Sequence, residues 1–69
     1  MPLAIDAMGG DQAPGAIVRG TVQAAMQETS AELVLVGDRN VVEAHLETEI
    51  NQCPPDSREG IRSRIHVHH

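Results

Sequence analysis

The residues whose types and spacing could do chemistry gather near the start of the chain, in AIDAMGGDQAPG at positions 4–15. A short apolar run ends at Asp6, Gly9 and Gly10 follow Met8, Asp11 stands beyond them, and Pro14 precedes Gly15. Glycines admit positive φ and let a ligand approach the backbone with no Cβ in the way. The two carboxylates can accept hydrogen bonds, hold a cation, or pin the loop by bonding to its own amides. Set between a strand and a helix, a loop over Met8–Ala13 offers backbone N–H groups and the positive end of a helix to an anion. A second such place is Gly37-Asp38, directly after LVLV at 33–36.

Common nucleotide motifs fit poorly. Gly10 and Gly15 have P-loop spacing, but Ala16 and Ile17 stand where Lys and Ser or Thr would grip phosphate and Mg²⁺. G-x-G-x-x-G is absent, so Asp38 reads as a turn or cap residue ahead of a ribose ligand. His66 and His68 in HVHH share one face of a strand but lack a clear third ligand, and no metal site is expected. Cys53 has no neighbouring base or cation to activate a thiol and reads as structural. Arg58, Arg62 and Arg64 could meet an anionic partner, but read first as solvated loop charges.

The elements that must position these groups follow from periodicity. LAIDA at 3–7 and LVLV at 33–36 read as short strands, the second apolar on both faces. Between them Ile17, Val18, Thr21, Val22, Ala25 and Met26 recur at helical spacing, predicting a helix over 14–29 with Pro14 in its first turn. Val42, Leu46 and Ile50 mark a second helix, for which Asn40 and Glu43 fit the N-cap and N3 positions of a capping box. NQCPPDSREG at 51–60 reads as a loop, and a last strand covers 64–68.

The resulting β-α-β-α-β order is the half-unit of a doubly wound parallel sheet. Right-handed crossovers would put both helices on one face, leaving LVLV bare on the other. The 69 residues therefore read as an incomplete portion of a Rossmann-like, three-layer α/β/α fold.

Composition sets outer bounds. No Phe, Tyr or Trp is present, so the core is built from Ile, Val, Leu, Met and Ala. The formal charge is −5 and every basic residue other than histidine is arginine, which argues against a nucleic-acid footprint. A single cysteine and no signal-like start point to a reducing cytoplasm, and no run reaches membrane-spanning length.

IDAMGGDQAP followed by an amphipathic helix, then LVLVGD and a second helix, resembles the N-terminus of the bacterial phosphate acyltransferase family of phospholipid synthesis (PlsX). The resemblance covers nearly the whole chain, most loosely over 48–62. It implies that residues 1–69 are the N-terminal segment of a single α/β acyltransferase domain. Members convert acyl-ACP and inorganic phosphate to acyl phosphate and free carrier protein, with no cofactor expected. Asp6, Met8, Gly9, Gly10, Asp11 and Pro14 would then belong to the wall of a phosphate and acyl-phosphate pocket, with Gly37 and Asp38 as a second loop; Asp6 and Asp11 would order the loop, since carboxylates repel phosphate. Acyl carrier protein and phosphate are the implied partners, with a homodimer and peripheral membrane association at full length. The isolated chain is expected to be inactive. A non-catalytic phosphate- or nucleotide-binding module, or an inactive truncated product, is the alternative.

Overall fold

Alternating apolar segments and glycine-punctuated loops give the order β1 (Leu3–Asp6), α1 (Pro14–Gln27), β2 (Leu33–Val36), α2 (Arg39–Asn51), α3 (Pro55–Arg64) and β3 (Ile65–His68) in the computed structural model, which describes residues 2–9 and 14–69. The three strands form one parallel sheet in the order β1-β2-β3, with Leu3, Leu33 and Ile65 in one row and Asp6, Val36 and His68 in the last. Among the described residues the fold is an open parallel α/β sheet, as the segment order predicts.

Strand side chains alternate between faces, and here the two faces differ sharply. Leu33, Leu35 and Ile65 are buried with Val18, Val22 and Ala25 of α1, Val42, Leu46 and Ile50 of α2, and Ile61 of α3. The opposite face carries Ala4, Asp6, Val34, Val36, His66 and His68, all exposed or half-buried. Helices thus cover one side of the sheet, and the outward valines of LVLV are half-buried.

Helix α1 buries Val18, Thr21, Val22 and Ala25, one stripe at i, i+3, i+4 and i+7 spacing. The Thr21 hydroxyl avoids an unpaired burial by donating to the Ile17 carbonyl at 2.9 Å. Helix α2 starts earlier than the expected cap. Asp38, not Asn40, is the N-cap, its Oδ1 accepting from the Val41 N–H at 3.2 Å. Glu43, freed from a capping box, pairs instead with Arg39 one turn before it at 3.1 Å.

The stretch 51–60 is not a loop throughout. Helix α3 begins at Pro55, where a missing N–H costs nothing and φ is already helical, and Ser57 closes the first turn by donating both its N–H (3.0 Å) and its hydroxyl (2.8 Å) to the Pro54 carbonyl. Asp56 lies in its first turn and Arg62 and Arg64 in its last, the arrangement the helix dipole favours. Ile61 is its one buried residue, so no apolar periodicity advertises it.

The arginines are not free loop charges either. Arg64 donates from Nη1 to the Glu28 (2.8 Å) and Ala31 (3.3 Å) carbonyls and from Nη2 to Ala25 (2.9 Å), closing the C-terminal end of α1. Arg58 does the same for α2 through the Cys53 (3.0 Å) and Asn51 (2.8 Å) carbonyls. Arg62 makes a two-pronged bond to Glu47 at 2.8 and 3.2 Å. That hydrogen bonding, with the attraction of the carboxylate charge, raises the guanidinium pKa further above its ordinary value.

A Cβ at Gly20 or Gly60 would meet nothing within 4 Å. Gly20→Ala and Gly60→Ala should therefore each stabilise the protein, by about 0.4–1 kcal/mol in urea unfolding, through the smaller entropy of the unfolded chain. Arg64→Ala should lower stability by about 2 kcal/mol, because charged hydrogen bonds to the end of α1 are lost. Arg64→Lys should recover only part of that loss, since one ammonium cannot reproduce the guanidinium fork.

Candidate functional site

The candidate residues meet at the carboxyl edge of the sheet. Each inter-strand ladder runs one bond past the strand ends, Ala7 N–H donating to the Val36 carbonyl (2.9 Å) and Gly37 N–H to that of His68 (3.0 Å). These bonds draw the chain after β1 and the turn after β2 onto one edge.

Asp6 closes the first turn on itself. Its Oδ1 accepts from the Met8 N–H at 3.0 Å, an Asx turn, and its Oδ2 would lie 2.5 Å from a Cβ placed on Gly9. Gly9 therefore lacks a side chain because the Asp6 carboxylate fills that space, not because its backbone takes a left-handed φ. A Cβ on Gly37 would fall 2.5 Å from Met8 Cγ and 3.3 Å from both Met8 Sδ and Val42 Cγ2. The two glycine motifs, separated by a helix and a strand in sequence, thus touch through Met8.

Pro14 opens α1, and Gly15 beside it runs close to α2: a Cβ there would stand 3.2 Å from Cε1 and Nδ1 of His45. Asp38 caps α2, so its carboxylate is turned to a backbone amide. Gly10 and Asp11 lie outside the described residues.

One group at this edge is not among the residues singled out from the sequence. Arg39, the first residue of α2, donates from Nη2 to the Val67 carbonyl at 3.0 Å and from Nη1 to Glu43 at 3.1 Å. Its guanidinium spans from α2 to β3 and is half exposed. The signal available was its position directly after GD at a strand end.

Other candidate groups have local explanations. His66 Nε2 lies 3.2 Å from Glu32 Oε1, and among the described residues no three His, Cys, Asp or Glu side chains form a metal-holding group. Cys53 is buried, its Sγ donating to the Glu49 carbonyl (3.4 Å) and touching Met26 Sδ (3.6 Å). Two cavities, of about 290 and 160 Å³, share Met26 near the C-terminal end of α1, the far end from the glycine motifs. The larger is lined mostly by apolar surface, and its Arg64 is already engaged by three carbonyls. The carboxyl edge, where backbone amides and a helix N-terminus converge, is the better candidate.

The profile of the family described as "Fatty acid synthesis protein" matches residues 1–58. The chain belongs to that family. Among curated relatives it is similar to a phosphate acyltransferase of Heliobacterium modesticaldum, 39% identical over 97% of this chain and 17% of that protein. A phosphate acyltransferase of Moorella thermoacetica is 59% identical over 67% of this chain and 13% of its own length. That of Methylococcus capsulatus is 37% identical over 97% of this chain and 17% of its own. The chain thus spans about a sixth or less of the length of these relatives. No solved structure matches. Among the described residues, no helix is long and apolar enough to cross a membrane.

The cap at Asp38 gives the testable consequence for this edge. Asp38→Ala should destabilise the protein by about 1 kcal/mol and speed amide exchange at Val41, whereas Asp38→Ser should retain most of the stability. Urea unfolding and hydrogen exchange read both effects.

Proposed function

We propose that residues 1–69 are the N-terminal segment of a single α/β acyltransferase domain and form two walls of its phosphate and acyl-phosphate pocket. The observation that carries this reading is the contact of Met8 with Gly37, which joins the IDAMGG and LVGD segments at one sheet edge in a chain of the fatty acid synthesis family. Its relatives are phosphate acyltransferases, and the substrates proposed for this chain's complete protein are acyl-ACP and inorganic phosphate.

In that reaction a phosphate oxygen attacks the thioester carbonyl and forms the new O–C bond. The C–S bond breaks, and the carrier's phosphopantetheine sulfur leaves as thiolate and takes up a proton. Acyl phosphate and free carrier protein result. No protein nucleophile is needed, so positioning and stabilisation of the developing oxyanion carry the catalysis. Loop amides after β1 and the start of α2 are the donors this segment offers. Asp6 and Asp38 suit such a pocket because each carboxylate bonds to a backbone amide and so orders the turn it sits in, leaving other groups to meet the anion. Arg39 adds a positive charge at the same edge.

The test is phosphate-dependent loss of acyl-ACP thioester. The complete gene product should consume the thioester with phosphate and release acyl phosphate, and a 69-residue chain should not, since it supplies only part of a cleft. Phosphate binding by the complete product without turnover would replace this reading with a non-catalytic phosphate-binding module.

A further inference from the structure

Gly37 needs an explanation that backbone conformation does not give, because its φ lies outside the left-handed region. Its N–H is fixed to the His68 carbonyl, and the space where a Cβ would stand is taken by Met8 Cγ. Val42, fully buried, forms the back of this seat, with Cγ2 3.3 Å from the same point.

Met8 is therefore gripped twice. Asp6 Oδ1 holds its N–H, and the bare backbone of Gly37 receives its side chain. One residue beyond Gly37, Asp38 caps α2. A shift of the turn after β1 must move Met8, and movement of Met8 toward β2 meets Gly37, just before α2, and Val42, in the first turn of α2. We infer that Met8 is a positioning residue that couples the turn after β1, Ala7 to Gly9, to the N-terminus of α2 by seating its side chain in the space left by Gly37. Methionine suits the task, being flexible and polarisable enough to pack against bare backbone. Nearly half of its surface, 46%, remains exposed at the edge. A group bound at the edge would thus press on the element that sets both loops.

As a statement about catalysis this inference rests on the acyltransferase reading; as a statement about coupling it does not. The experiment compares wild type, Met8→Ala, Met8→Leu, Gly37→Ala and the Met8→Ala/Gly37→Ala double variant in the complete gene product. It records kcat and the KM for phosphate separately, with amide exchange at Met8, Gly9 and Val41. Gly37→Ala should lower kcat about tenfold and speed exchange in both loops. Met8→Leu, close in volume, should stay within about threefold of wild type. The double variant should be less impaired than the product of the two single losses, because removing Met8 Cγ opens room for the new methyl; recovery is partial, since Val42 still crowds it.

Losses that simply multiply, or a Gly37→Ala variant unchanged in rate and exchange, would overturn the coupling. Should the wild type show no phosphate-dependent turnover, the acyltransferase reading fails, and non-additive exchange at Val41 and Gly9 alone decides for or against the coupling. Should Gly37→Ala not fold, faster Val41 exchange in Met8→Ala than in Met8→Leu supports it, and equal exchange in the two overturns it.

Discussion

Everything in this molecule hangs on the inward face of β2. Leu33 and Leu35 sit in the middle strand, flanked by β1 and β3, and the helices cover them from one side only. With no aromatic side chain to fill space, the layers close by near approach of small and branched groups. Leu35, Val18, Val42 and Ile50 are wholly buried, while glycine at position 15 lets His45 of α2 lie against α1. The same near approach draws the two loops together at the carboxyl edge. Close packing in the core and convergence at the candidate site are one geometric condition.

Polar groups finish what the thin core begins. Helix ends carry carbonyls and amides with no partner inside the helix. Here side chains supply them: Asp38 at the start of α2, Arg58 at its end, Arg64 at the end of α1. Among the described residues no buried side-chain nitrogen or oxygen is left without a partner. A chain with few hydrophobic contacts thus fixes helix positions through directional bonds, each of which also specifies where a loop begins or ends.

How far the sequence reveals this depends on the range of the interaction. LVLV announces β2 because four apolar residues in a row suit a buried parallel strand, and α1 is legible from its recurring apolar stripe. The carboxyl edge was legible as well, since glycines and aspartates follow two strand-like runs. Helix α3 was hidden because Pro54, Pro55, Ser57 and Gly60 imitate a turn and one buried isoleucine sets no period. The start of α2 was misplaced because Asp38 and Asn40 are both good caps, and only the fold selects between them. The role of Arg64 was out of reach, its acceptors lying 33, 36 and 39 residues earlier. Why position 37 is glycine was equally hidden, because its partner Met8 comes from another loop.

The long reach of Arg64 also orders events in time. A ribosome adds about 5–20 residues per second, so the end of α1 emerges about 2–7 seconds before the arginine that closes it. During that interval the carbonyls of Ala25, Glu28 and Ala31 lack the guanidinium, and β2 lacks its second neighbour, since β3 follows Arg64 directly. Completion of α3 then supplies the clamp and the last strand together. The end of α1 thus takes part of its hold from the last turn of α3, a contact that exists only once the far end of the segment has been made.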